Sequence, residues 1–111
     1  MNIHTRVIGD VHILDISGKI ILGQGTMVVR NTIKDLLHNG AKDIVLNLAE
    51  VNHIDSSGVG ELVSSFTAVA KEGGQLKLLN LSTKVREILA ITRLLTVFQV
   101  YGNEQAAVRG E

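Results

Sequence analysis

Two short, almost continuous apolar runs constrain the fold of this chain more than any other feature. They cover residues 43–48 and 76–81. Runs of this length without polar alternation are typical of strands that are covered on both faces. Residues with helical periodicity precede and follow each run, and such helices connect neighbouring parallel strands. The order therefore predicts an α/β domain with helices packed on a mostly parallel or mixed sheet.

The remaining elements follow from periodicity and turn signals. Alternating residues 3–7, a Gly9-Asp10 turn and a strand ending at Gly18 predict an opening hairpin. Segment 49–57 is predicted to be a loop, and a last strand is expected over 97–101. Helices are predicted from a Thr26 N-cap to Asn39-Gly40, from Val59 to Ala70, from a Ser82 or Thr83 cap to about Leu95, and at the start of 103–108. The predicted order is β-β-α-β-α-β-α-β.

The composition excludes several functional classes. The chain has 111 residues, 45% of them hydrophobic, which fits one small domain. Eleven Lys+Arg balance eleven Asp+Glu, so no overall field favours nucleic acid or an anionic membrane. Cysteine is absent, which excludes disulfides and thiolate metal sites. Without a signal-peptide pattern or an apolar run of about 20 residues, we expect a cytoplasmic protein.

The segment Asn52–Gly60 carries the strongest functional signal, because it joins an apolar strand to the clearest amphipathic helix. The first turn of a helix has unpaired N–H groups and partial positive charge, which aspartate or serine can cap. The same donors would receive a phosphate on serine. Gly58 and Gly60 suggest that access to the backbone matters there. An ordinary helix N-cap explains the same residues, and their spacing does not decide between the two interpretations.

A resemblance to a known family rests on this segment and the strand before it. The residues are Ile44-Val45-Leu46-Asn47-Leu48, then Val51, then Ile54-Asp55-Ser56-Ser57-Gly58-Val59-Gly60. They resemble the STAS signature, named for sulfate transporters and anti-sigma factor antagonists. The resemblance extends over about residues 3–108. It implies a single STAS-type α/β domain over 1–111, with a four- to five-stranded mixed sheet and helices packed largely on one face.

The resemblance to the antagonist branch of this family also implies a phosphorylation switch. Ser56 would be phosphorylated by an anti-sigma factor that is also a serine kinase, and a serine phosphatase would reset it. Asp55 and Ser57 would contact the partner, and Ser57 would also be a helix cap and a secondary phosphorylation site. Gly58, Val59 and Gly60 would complete the partner-binding surface. ATP would be the cofactor of the kinase, so the chain itself needs none. A weak homodimer is left open.

Other functions remain as alternatives. A STAS scaffold in a signalling or lipid-transport complex would have the same motif without phosphorylation. A serine hydrolase could use His53, Asp55 and Ser56, but three residues so close in sequence rarely form a triad, and the Gly-x-Ser-x-Gly elbow is missing. No histidine spacing indicates a metal site. Residues 23–25 are interpreted as a hinge or turn, and Lys71, Lys77, Lys84 and Arg86 as a solvated face.

Overall fold

The computed structural model describes residues 1–110, which form five strands and four helices. The strands are β1 (Asn2–Ile8), β2 (Val11–Ile20), β3 (Asp43–Ile54), β4 (Gln75–Leu79) and β5 (Gln99–Tyr101). The helices are α1 (Gln24–His38), α2 (Ser56–Lys71), α3 (Thr83–Ile91) and α4 (Glu104–Arg109). The predicted order is confirmed, and the terminal segment does form a short helix.

The strands build one mixed sheet in the order β1-β2-β3-β4-β5. β1 and β2 form the antiparallel hairpin, and β2, β3, β4 and β5 run parallel to one another. The predicted four- to five-stranded mixed sheet is therefore confirmed. Parallel pairing places the carboxyl ends of β2 to β5 at one edge, and the helices begin at that same edge.

The helices pack largely on one face of the sheet, as predicted. α1, α2 and α3 lie on this face, and their apolar stripes meet side chains that alternate along the strands. Helical residues such as Val29, Leu62 and Leu89 are completely buried there. They pack in one cluster with strand residues such as Leu46 and Leu78. At about 25 cal/mol per Å² of buried apolar surface, this cluster is the main favourable contribution to folding.

α4 covers part of the opposite face through a second, smaller apolar cluster, in which Ala107 packs with buried residues of β2, β3 and β4. Lys77 belongs to this face and is only 5% exposed. Its Nζ donates a hydrogen bond of 3.1 Å to the carbonyl oxygen of Ala107 and lies 5.8 Å from the centroid of the Tyr101 ring. The prediction that Lys77 is solvated is wrong, whereas Lys71, Lys84 and Arg86 are exposed.

An ion-pair network also joins α4 to the sheet. Arg6 Nε lies 2.6 Å from Asp15 Oδ2, and Arg6 Nη2 lies 2.6 Å from Glu104 Oε1. Asn47 Nδ2 donates a further hydrogen bond of 2.8 Å to Asp15 Oδ1. The Arg6 hydrogen bonds lower the pKa of Asp15 below its usual value. The network therefore fixes α4 across β1, β2 and β3.

The structure corrects several predicted helix and strand limits. β3 continues to Ile54, because Val51 and Ile54 are buried in the core, so the predicted loop 49–57 is wrong. Gly23, not Thr26, is the N-cap of α1, and the Thr26 hydroxyl donates to the Gly23 carbonyl oxygen. α3 ends at Ile91 instead of near Leu95.

The glycine-rich segment forms a turn that leads into α1, in agreement with the turn interpretation. Gly25 is buried inside α1, and a Cβ added there would lie 2.4 Å from the Lys19 carbonyl oxygen. Gly25 therefore permits the start of α1 to approach β2 closely. No helix within residues 1–110 is long and apolar enough to cross a membrane.

We predict that the contribution of Asp15 to stability depends on pH. Because the folded-state pKa is lowered, the stabilisation is present above the unfolded-state pKa and is lost as the pH falls through the folded-state value. Replacing Asp15→Asn should lower the free energy of unfolding by up to about 1 kcal/mol at pH 7, since these side chains are partly exposed. Urea titrations between neutral and acidic pH measure this difference, with Asp10→Asn in the exposed turn as control.

The difference between the native chain and Asp15→Asn should shrink as the pH falls. A difference that stays constant into strong acid would contradict an electrostatic role for this pair.

Candidate functional site

The predicted site residues lie at the sheet edge where parallel strands end and helices begin. β2 ends at Ile20 and β3 at Ile54, and α1 and α2 start at Gln24 and Ser56. Ligand sites of open α/β sheets are found at this edge, because loops and helix N-termini converge there. The topology thus brings the β2–α1 loop, residues 21–23, beside the start of α2.

Asp55 joins these two segments through its carboxylate. Oδ1 accepts a hydrogen bond of 2.8 Å from the Gly58 N–H, which makes Asp55 the N-cap of α2. Oδ2 accepts a hydrogen bond of 3.1 Å from the Leu22 N–H in the β2–α1 loop. The Leu22 bond, followed by the Gly58 bond, lowers the pKa of Asp55 below its usual value. Asp55 therefore remains ionised at neutral pH and connects the loop to the helix.

Ser56 is the first residue of α2, and it is exposed. Its position at the positive end of the helix suits an anionic group, because the first-turn N–H groups lack helical partners. Ser57 is partly buried. The predicted capping role of Ser57 is wrong, since the cap is the Asp55 side chain. A role of Ser57 as a secondary modification site stays a prediction.

Gly58 and Val59 lie inside the domain, unlike Ser56. A Cβ added to Gly58 would lie 2.0 Å from the Ile20 carbonyl oxygen and 2.7 Å from Ile54 Cγ1. This glycine therefore permits α2 to pack against β2, and the interpretation that it opens the backbone to a partner is wrong. The Val59 side chain is 6% exposed and belongs to the core. Partner binding by Gly58 and Val59 stays a prediction. Their burial leaves little surface of either residue for a partner to contact.

Gly60 is exposed, and a Cβ added there would meet nothing within 4 Å. Two large apolar side chains also lie at this edge, Leu22 at 75% exposure and Met27 at 57%. The sequence pattern did not predict these two side chains as part of the site. The signal in the sequence that could have identified them is their position on either side of Gly23-Gln24-Gly25, because apolar residues that flank a turn are less often part of the core.

An ion pair between a buried glutamate and a half-exposed arginine holds α1 against α2. Glu61 is 4% exposed, and its Oε1 lies 2.9 Å from Arg30 Nη2. Ser65 donates a hydrogen bond of 3.3 Å to Glu61 Oε2. The sequence pattern did not predict this group, because a lone glutamate in an amphipathic helix is typical of a solvated face. The pair fixes the relative positions of the two helix starts.

The residues of the hydrolase alternative do not form a triad. His53 is exposed at the end of β3, where it pairs with Lys19 in the register of β2 and β3. Within residues 1–110 no hydrogen bond joins its ring to Ser56 or Asp55, and the Asp55 carboxylate is engaged by backbone donors. In the same part of the chain, no group of three or more His, Cys, Asp or Glu side chains could hold a metal ion.

We predict opposite effects of alanine at the two glycines of α2. Replacing Gly58→Ala should lower the free energy of unfolding by about 1–3 kcal/mol, because its Cβ would overlap the β2 backbone. Replacing Gly60→Ala should raise it by about 0.5–1 kcal/mol, since alanine is the better helix former and has space there. Chemical denaturation measures both changes. Equal effects at the two positions would contradict the close approach of α2 to β2.

We also predict that Asp55 limits the motion of the β2–α1 loop. Replacing Asp55→Ala removes the acceptor of the Leu22 N–H, so the Leu22 amide should exchange its hydrogen faster. The same acceleration should appear in the native chain as the pH falls through the lowered pKa of Asp55, after correction for intrinsic exchange. Exchange measured by NMR tests this, with Thr83→Ala as a control at an exposed position of α3. Unchanged protection at Leu22 in the Asp55 variant would refute the connection.

Comparison with known proteins agrees with this fold and motif. The sequence model of the STAS domain family matches residues 2–107. An anti-sigma-B factor antagonist of Bacillus subtilis is 34% identical over 82 residues, which are 74% of each chain. The structure of the anti-sigma factor antagonist SpoIIAA in its unphosphorylated form has a TM-score of 0.81 and 22% identity, over 99% of this chain and 98% of that one.

A further structure, of the Bacillus cell fate determinant SpoIIAA in its phosphorylated form, has a TM-score of 0.76 and 20% identity, over 98% of each chain. At these identities the two SpoIIAA structures establish the fold alone. The family match covers nearly the whole chain and includes the Asp55–Gly60 motif at the start of α2. The chain therefore belongs to the STAS domain family.

Proposed function

We propose that this chain is an anti-sigma factor antagonist that acts by binding and not by catalysis. In its unphosphorylated form it binds a kinase-type anti-sigma factor and so releases the sigma factor. Phosphorylation of Ser56 abolishes binding, and a serine phosphatase restores it. The proposal is supported by the Bacillus subtilis relative, which is named an anti-sigma-B factor antagonist, and by the family match. We place this cycle in the cytoplasm.

The observation that carries the proposal is the exposure of Ser56 at the first position of α2. A kinase needs an accessible hydroxyl, and the neighbouring backbone is already fixed by the Asp55 cap. A phosphate at this position would meet the positive end of the helix, so the domain tolerates it. Modification can therefore change the surface without unfolding the chain.

The effect on binding follows from the surroundings of Ser56. Phosphorylation adds about −1.5 to −2 charge at pH 7. The proposed binding surface also contains the exposed apolar side chains of Leu22 and Met27 and the exposed Gly60. Burying the phosphate against such a surface without a cationic partner costs several kcal/mol, and each 1.4 kcal/mol reduces the affinity about tenfold.

The test is phosphorylation by the anti-sigma factor kinase encoded near the gene, followed by mass spectrometry and a binding measurement. We expect one phosphate on Ser56 and an affinity for the anti-sigma factor at least about a hundredfold lower than that of the unmodified chain. The Ser56→Ala variant should bind and resist phosphorylation. The Ser64→Ala variant is the matched control, because Ser64 is also exposed on α2 but lies two turns further along it.

The result distinguishes this proposal from the alternative functions. Binding that is unaffected by phosphate on Ser56 would refute the switch. If the chain binds a signalling or transport complex and no kinase modifies it, the scaffold function is correct. Covalent labelling of Ser56 by an active-site serine probe would favour a hydrolase.

A further inference from the structure

Among residues 1–110, β1 is an outer strand of the sheet, and one of its two edges has no partner strand. It has seven residues, whereas β5 at the opposite edge has only three. A long open edge presents unpaired N–H and C=O groups to any other strand, so native proteins normally protect it. β1 therefore needs either a protective feature or a partner.

Three common protective features, a bulge, a proline and an unpaired lysine or arginine, are missing from β1. Its seven pairs with β2 are continuous, from Asn2↔Ser17 to Ile8↔Val11, so no bulge interrupts the strand. The chain contains no proline. The one cationic side chain of β1 besides histidine is Arg6, and its guanidinium is held by Asp15 and Glu104. Val7 at 58% exposure and Ile8 at 40% add apolar surface near the end of the strand.

We propose that β1 pairs with β1 of a second copy of this chain, antiparallel and about a two-fold axis at Thr5. This arrangement joins two five-stranded sheets into one. The interaction is independent of the function proposed above, because it uses the outer strand and not the start of α2.

The side chains of β1 favour this register over the two adjacent ones, with the axis at His4 or at Arg6. With Thr5 opposite Thr5, Val7 of each copy lies beside Ile3 of the other, so an exposed valine gains an apolar neighbour. A two-fold axis at Arg6 would place two arginines directly opposite each other, which is destabilising. An axis at His4 would place Val7 opposite Met1, which precedes β1, so Val7 would have no strand residue as a partner.

The charges of the chosen register are compatible with pairing. It places His4 of one copy opposite Arg6 of the other, and the Arg6 charge is already balanced by Asp15 and Glu104. Pairing between two strands alone buries less than a standard protein–protein interface of about 1,600 Å². The dimer is therefore weak and depends on protein concentration.

The absence of cysteine from the native chain permits a direct test. In an antiparallel pair, directly opposite residues have Cα atoms about 4.5–5.5 Å apart, which is within the range that a disulfide bridges. The Thr5→Cys variant should therefore form a disulfide-linked dimer under mild oxidation. The Val7→Cys variant should not, because the two Val7 positions are separated by about four residues along the strands. The Thr67→Cys variant, at an exposed position of α2, measures the rate of disulfide formation by random collision.

A second substitution tests the strand edge itself. Adding Val7→Lys to Thr5→Cys should slow dimer formation about tenfold, since lysine on an edge strand opposes pairing. Adding Val97→Lys, at an exposed valine distant from β1 in sequence, should have no effect. Circular dichroism verifies that each variant is folded. The proposal is overturned if Thr5→Cys links no faster than Thr67→Cys, or if Val7→Cys links faster than Thr5→Cys.

Discussion

The arrangement of the candidate site depends on the two hydrogen bonds that the Asp55 carboxylate accepts. One bond, from the Gly58 N–H, begins α2, and the other, from the Leu22 N–H, holds the β2–α1 loop beside it. These donors lower the pKa of Asp55, so the carboxylate is charged under ordinary conditions. Asp55 is thus engaged within the chain, whereas the following residue, Ser56, is exposed and accessible to another protein.

Packing explains how an exposed serine can stand beside a rigid core. Gly58 permits α2 to approach the Ile20 carbonyl, and Val59 anchors the first turn among core side chains. Glu61 and Arg30 hold the neighbouring helix. The backbone on either side of Ser56 is thus held by the cap and the core, whereas the Ser56 side chain is exposed. A charge added to the Ser56 side chain would change the surface of the domain but not the contacts of the core.

Much of the fold follows from the sequence, because apolar periodicity reports which side chains are buried. The runs 43–48 and 76–81 are strands in the structure over most of their length, and the helix predicted from Val59 to Ala70 lies within α2. The periodicity failed where the sheet is irregular. β3 shifts its register against β2 twice, between Asp15 and Ser17 and between Gly18 and Lys19, so the burial of Val51 and Ile54 follows no simple alternation.

The site was predictable as a position on the chain but not as a geometry. Asp55 and Ser56 follow from the motif, whereas the bond to Leu22 joins residues 33 positions apart. The burial of Lys77 under α4 and of Glu61 between helices also depends on tertiary contacts that composition does not report. Gly58 and Gly60 have similar sequence contexts, yet only the structure shows that one is enclosed and the other is open.

The most direct test is a calorimetric titration of the anti-sigma factor with a form of this chain that carries phosphoserine at position 56. The phosphoserine is incorporated during synthesis of the chain. Thermal unfolding of the same sample verifies that it is folded. The account predicts a melting midpoint close to that of the unmodified chain together with loss of detectable binding. Retained binding would contradict it, as would loss of binding that is accompanied by unfolding of the domain.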